Sequence, residues 1–278
     1  RIVALTADLK ESTRVEAFAN EFPDRFFEMG VAEQNLVTVA AGMATYGKIP
    51  FVTSYATFSP GRNWEQIRTT VCINDVPVTV VGCHAGLTVG PDGATHQALE
   101  DIAIMRTLPN MTVVVPCDAV EAHKATVALA QSGKPAYLRL GRSGIPTITT
   151  DATPFEIGKA VTVLETEAPD VGIIACGSMV HPAILAAQQL GNEGVNATVI
   201  NMHTIKPIDR DAVVALAAAT GVIRSSLEES KKKTQILDYS IEVWNEWSLP
   251  LKGFFKNYPT GAYPIKDEKE AQALDANA

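Results

Sequence analysis

Glu33 stands at the head of a long apolar run. The segment Phe26-Phe27-Glu28-Met29-Gly30-Val31-Ala32-Glu33-Gln34-Asn35 reads as a strand end, a glycine turn and the start of a helix. Leu36-Val37-Thr38-Val39-Ala40-Ala41-Gly42-Met43-Ala44 continues that helix and is apolar enough to require burial. Glu33 is then a carboxylate at the mouth of a helix entering the core, where it offsets the helix dipole at the least. A second polar cluster opens a chemical role for it: His84-Ala85-Gly86-Leu87-Thr88-Val89-Gly90-Pro91-Asp92-Gly93-Ala94-Thr95-His96-Gln97. Glycines at 86, 90 and 93 make a loop whose backbone can approach a ligand closely. His84, Asp92 and His96 supply polar groups with no metal-binding spacing among them, although a lone histidine also reads as a hydrogen-bonded structural residue. Arg142 offers a planar fork suited to phosphate. Tyr55 and Phe58, three positions apart after an apolar strand, form either a flat wall for a ring or ordinary core packing. Asp8 and Ser12 both read equally well as helix-start residues.

The elements that must position these groups alternate along the chain. Strands are expected at Ile2 to Leu5, Pro50 to Thr53, Val76 to Gly82, Thr112 to Val115 and Ala136 to Leu140. Helical patterns lie between them, near Ser12 to Asn20, Ala32 to Tyr46, Asn63 to Cys72 and Ala119 to Gln131. Apolar strands interleaved with amphipathic helices predict an α/β fold with a parallel sheet covered on both faces. Ligands collect at the carboxyl ends of such strands, the edge where the residues after Thr53, Gly82 and Leu140 leave the sheet. A Thr/Pro/Gly-rich linker from Ser143 to about Pro154 predicts two domains, at 1–145 and 156–278. The second repeats the α/β logic in strands at Val161 to Leu164, Val171 to Ala175 and Ala197 to Ile200, with helices near Val180 to Leu190 and Asp209 to Ala219.

Taken together in order and spacing, the Glu33 and His84–Gln97 segments resemble the pyrimidine-binding domain of transketolases. The likeness continues through Pro109-Asn110-Met111, Val115-Pro116-Cys117-Asp118 and Leu138-Arg139-Leu140-Gly141-Arg142, and a fainter one to the family's C-terminal domain reaches about residue 229. The resemblance implies two doubly wound domains and thiamine diphosphate as cofactor. It makes Glu33 the partner of N1′ of the aminopyrimidine, sets Phe58 against that ring with Tyr55 beside it, and puts Asp8 near the cofactor. It gives His84, Arg142 and Ser12 to the sugar phosphate, Asp92 to the donor's C2 hydroxyl and His96 to the oxygens near the reacting carbonyl. The family's Gly-Asp-Gly motif for Mg2+ and the diphosphate is absent from this chain. The resemblance therefore implies the C-terminal subunit of a split transketolase, inert without an N-terminal partner in a heterotetramer. Pentose phosphates are the default substrates. The alternatives are a 1-deoxyxylulose-5-phosphate synthase-like subunit, a 2-oxo acid dehydrogenase β-like subunit, or a non-catalytic remnant. His84 eight residues before Asp92 favours transketolase over the first, and the Asp92-to-His96 spacing disfavours the second. Glu33, Phe58, Asp92 and His96 occurring together argue against the third.

Composition sets wider bounds. The 278 residues carry a formal charge of −8, which excludes the basic footprint of a nucleic-acid binder. No apolar stretch approaches the length of a membrane span. Cys72, Cys83, Cys117 and Cys176 are widely spaced, with Cys83 and Cys176 in apolar runs, so a reducing cytoplasm is the expected location. Because Ile2 to Leu5 already reads as a strand, the true start is expected upstream. After Leu227-Glu228-Glu229 the sequence is expected to depart from the family, with an atypical stretch from about Ser230 to Ala278.

Overall fold

The computed structural model describes residues 1–220. Seven strands form its larger sheet: β1 (Ile2–Thr6), β2 (Phe26–Glu28), β3 (Ile49–Tyr55), β4 (Thr79–Cys83), β5 (Thr112–Val114), β6 (Ala136–Arg139) and β10 (Thr204–Lys206). Their order is β10-β5-β6-β4-β3-β1-β2, with the first six in sequence mutually parallel and β10 antiparallel to β5. The central strands are rich in β-branched and small apolar residues, as burial on both faces demands.

Alternation along each strand sends neighbours to opposite faces. Val80, Val113 and Tyr137 join one core with α2 (Glu33–Thr45), the π-helical stretch Ile67–Cys72 that continues α3 (Trp64–Gln66), and α4 (Asp101–Thr107). Val81, Val114 and Leu138 join the other with α5 (Ala119–Ser132). Gly82 is obligatory here, because a Cβ would lie 2.2 Å from the Tyr137 hydroxyl. That buried hydroxyl donates to Asp101 at 2.7 Å, and Arg139 Nε reaches the same carboxylate oxygen at 2.7 Å.

The smaller sheet has order β7-β9-β8, from β7 (Val161–Leu164), β8 (Val171–Ala175) and β9 (Ala197–Asn201). β8 runs parallel to β9 and β7 antiparallel to it. Two helices accompany it, α6 (Val180–Asn192) and α7 (Arg210–Ala219).

Four expectations need correction or addition. The first helix, α1, spans Glu16–Glu21 rather than starting near Ser12. Arg14 adopts the left-handed region (φ 62°) and the Thr13 hydroxyl bonds back to Leu9 O, so residues 10–15 are turns. α2 is buried along one face only; Gln34, Asn35, Thr38 and Gly42 are exposed. α4 was not foreseen, its single helical turn-pair being too short for a clear periodicity. Nor was β10, a three-residue strand whose edge position depends wholly on long-range pairing with β5. The sequence expected to be atypical, Ser230 to Ala278, lies outside the described residues, as does Leu227-Glu228-Glu229.

Candidate active site

Because six strands run parallel, their carboxyl ends share one edge. Asp8 follows β1, Gly30 to Glu33 follow β2, Phe58 and Arg62 follow β3, His84 follows β4 and Arg142 follows β6. Two hollows open there.

The first is a recess of about 340 Å³ lined by Val31, Ala32, Glu33, Gln34, Asn35 and Arg62. Glu33, the first residue of α2, is 5% exposed. Arg62 Nη1 donates to its Oε1 at 2.9 Å, and the guanidinium lies over the Phe58 ring with Cζ 4.0 Å from the centroid. Since the Arg62 side chain is 49% exposed, solvent screening keeps this pair to about 1 kcal/mol or less beyond what the buried carboxylate needs for neutralisation. Buried Asn63 fixes the backbone beneath: its Nδ2 donates to Glu33 O at 2.8 Å and to Ser59 Oγ at 3.1 Å. Upstream, Glu28 Oε1 accepts from the backbone N–H of Asp8 (2.8 Å) and Gly30 (3.1 Å), tying β1 to the turn that delivers Glu33.

The second hollow is a cleft of about 550 Å³, lined among others by Glu11, Ser12, Arg14, Tyr55, His84, Asp92 and Arg142. His84 is held in the left-handed region (φ 55°) and stacks on Tyr55 with centroids 4.2 Å apart and planes at 19°. Its buried Nδ1 has no partner among the described residues. Burial first, and then the neighbouring Arg142 charge, pull the His84 imidazole below its ordinary 6.5, while Asp92 acts the other way. Arg142 Nη1 donates to Val89 O, pinning the glycine loop to the end of β6. Gly90 (φ 76°) passes so close that a Cβ would lie 3.1 Å from the same nitrogen.

An aromatic cluster separates the hollows. Phe58 meets Tyr55 at 5.9 Å (17°) and His96 edge-on at 5.2 Å (73°). His96 Nδ1 is fixed by the Thr95 hydroxyl at 2.9 Å. A buried carboxylate and an aromatic ring that share one planar partner, next to a cleft rich in polar groups, can bind a flat heterocycle on one side and an anion on the other.

Residues 1–147 match the family model "Transketolase, pyrimidine binding domain", and residues 158–251 match "Transketolase, C-terminal domain". The chain belongs to the transketolase family. Within it, a Methanocaldococcus jannaschii protein assigned as a transketolase C-terminal section is 44% identical over 214 residues, covering 76% of this chain and 67% of that protein. A 1-deoxy-D-xylulose-5-phosphate synthase of Syntrophus aciditrophicus is 42% identical over 218 residues, covering 78% of this chain but 33% of the relative. A solved structure described as a split-gene transketolase, inactive β4 tetramer, is 46% identical with a TM-score of 0.73, covering 79% of this chain and 70% of that one.

In this transketolase-family chain the residues singled out from sequence fall into groups. Ser12, Tyr55, His84, Asp92 and Arg142 share the cleft. Glu33 belongs to the recess, while Phe58 and His96 stand between the two. Asp8 enters neither hollow's lining; it takes the left-handed region (φ 58°) and is held through its backbone N–H. Sequence reasoning missed Arg62, Glu28 and Arg14. The signal for Arg62 was its place four residues after Phe58, one turn on from the aromatic.

Cys83, in one of the apolar runs, is a small core residue whose thiol burial pushes up to about 12. No three His, Cys, Asp or Glu side chains converge as a metal-binding group among the described residues. No helix among those residues is long and apolar enough to cross a membrane.

Proposed function

We propose that this chain is the C-terminal subunit of a split transketolase, moving a two-carbon ketol unit between sugar phosphates with thiamine diphosphate. The observation that carries this reading is buried Glu33, bridged through Arg62 to the Phe58 ring, beside a cleft holding His84, Asp92 and Arg142. The residues fit the cofactor's flat ring: Phe58 already accepts a planar guanidinium at 4.0 Å, and Glu33 already accepts its hydrogen bond.

When bound, thiamine diphosphate supplies a nucleophilic thiazolium carbon for cleaving the bond beside the donor carbonyl. Glu33 hydrogen-bonds N1′ of the aminopyrimidine and holds a proton there, in a place water reaches poorly. Phe58 gives the ring its apolar wall, Tyr55 backs it, and Asp8 lies near the cofactor at the end of β1. Asp92 takes the donor's C2 hydroxyl, and His96, oriented by Thr95, contacts the oxygens near the reacting carbonyl. His84 is uncharged near pH 7 and binds the sugar phosphate as a neutral donor, with Arg142 and Ser12 supplying charge and a hydroxyl.

Mg2+ and the diphosphate fall to an N-terminal partner, since this chain carries no Gly-Asp-Gly motif. We take the working assembly to be a heterotetramer; a 46% identical homologue described as an inactive β4 tetramer is in keeping with the need for a partner. Four free thiols among the described residues suit a reducing cytoplasm. A second reading, a 1-deoxyxylulose-5-phosphate synthase-like subunit, is favoured by the 42% identity to that enzyme.

Calorimetry tests the partner requirement. The chain alone, given Mg2+ and thiamine diphosphate, should show no tight binding, and pairing should restore it together with ketol transfer from ketose phosphates. Micromolar affinity in the unpaired chain would sink the split-enzyme reading. A pair that consumes pyruvate but no ketose donor would establish the synthase reading.

A further inference from the structure

We infer that Arg62 occupies the pyrimidine's place in the cofactor-free chain, lying on Phe58 and holding Glu33 until the cofactor displaces it. The inference rests on the roles given above to Glu33 and Phe58.

The guanidinium has the features those two residues would recognise in an aminopyrimidine. It is planar, it carries in-plane N–H donors, and it satisfies both at once, with Cζ 4.0 Å from the ring centroid and Nη1 2.9 Å from the carboxylate. Glu33 needs such a partner, because a carboxylate 5% exposed is costly to leave unpaired. Among the described residues, Glu33 is the one carboxylate with which Arg62 forms an ion pair.

The backbone enforces this placement while the side chain stays free to leave. Asn63, fully buried, clamps the segment onto the start of α2 through Glu33 O and Ser59 Oγ. The Arg62 side chain is itself 49% exposed, so it can swing into solvent without unfolding its support. Tyr55 and His96 already crowd the same Phe58 ring. A ring seated on Phe58 and bonded to Glu33 therefore needs the space and the acceptor that Arg62 holds.

Competition of this kind divides the dissociation constant by the fraction of open molecules, so a closed form favoured about ten to one weakens cofactor binding about tenfold. The test is the dissociation constant of Mg2+–thiamine diphosphate, by calorimetry, for the reconstituted pair carrying wild-type, R62A or R62K chains. R62A should bind about tenfold more tightly. R62K, which keeps a charge near Glu33 but has no planar group to lie on Phe58, should also bind more tightly than wild type. Unchanged or weaker binding in R62A would overturn the inference and make Arg62 a support for the bound cofactor. Should R62A fail to fold, R62K decides alone, with affinity equal to or below wild type overturning the inference. A wild-type pair that binds no cofactor would instead remove the underlying reading of Glu33 and Phe58.

Discussion

The recess at Glu33 and the cleft at His84 share one sheet edge but are built on opposite plans. The recess comes from two short stretches, residues 28–35 and 58–63, each ordered by its own helix start and stitched together by Asn63. Its charged group is buried and already paired. The cleft is assembled from the end of β3 and the loops after β1, β4 and β6, so its lining runs from Glu11 to Arg142. Ser12, Asp92 and Arg142 are exposed there. Burial makes an electrostatic contact strong and directional, which suits tuning a proton; exposure leaves contacts weaker and adaptable, which suits gripping the charged end of a substrate. On the function proposed here, the hollow with the buried carboxylate serves the cofactor and the cleft serves the sugar phosphate.

The largest effect should come from the buried carboxylate of the recess. Glu33→Gln keeps the side chain's size and a hydrogen bond to Arg62, but the amide cannot exchange a proton with N1′. Loss of an acid–base group commonly costs on the order of 10²–10⁴-fold. Exchange of the thiazolium C2 proton in the reconstituted pair should slow by that order while the chain stays folded. Exchange at the wild-type rate would reduce Glu33 to a partner for Arg62 and the helix dipole.

In the cleft the effect should be smaller and confined to binding. A charge-assisted bond to phosphate contributes roughly 1.5–3 kcal/mol, so Arg142→Ala should raise KM for phosphorylated ketoses roughly 10- to 100-fold. With equal contact in ground and transition states, kcat should change little. Because Arg142 also pins Val89, an unphosphorylated substrate is the control, and it should be affected far less. Equal losses on both would mean that Arg142 acts by holding the glycine loop rather than the phosphate.

The smallest effect is a titration within the cleft. His84 is held below 6.5 by burial and then by Arg142, so it is neutral in the folded chain near pH 7. Its unfolded counterpart takes up a proton as pH falls through about 6.5. The stability it contributes is therefore complete above that value and is lost as pH falls toward the folded pKa. Arg142→Ala should bring the His84 pKa, followed by NMR, part of the way back up and soften that acid sensitivity. A His84 resonance indifferent to the substitution would separate the two side chains and break up the cleft as described.

The carboxyl edge was legible in the sequence because strand identity is written locally. Val80 and Val81, or Val113 and Val114, point to opposite faces whatever lies elsewhere, and buried parallel strands must be apolar at both. Glu33 was legible for the same reason, as a charge at a helix start before an apolar run. What escaped depended on partners distant in the chain. The Ser12 helix failed on one left-handed residue, Arg14, whose side chain carries no signal for that conformation.

The sequence by itself determined the alternation of strands and helices, the glycine loop and the place of Glu33 at the head of an apolar helix, since periodicity and apolar content act over a few residues. The tertiary structure alone decided that Arg62 covers Phe58, that Arg142 holds Val89, that Glu28 ties Asp8 to Gly30, and that β10 returns to the edge of the larger sheet. The last three are contacts between segments brought together by strand order, while Arg62 reaches Phe58 from one turn on. A hydrogen bond to a backbone oxygen leaves no mark on the residue that accepts it, so only the assembled sheet could reveal the pairing.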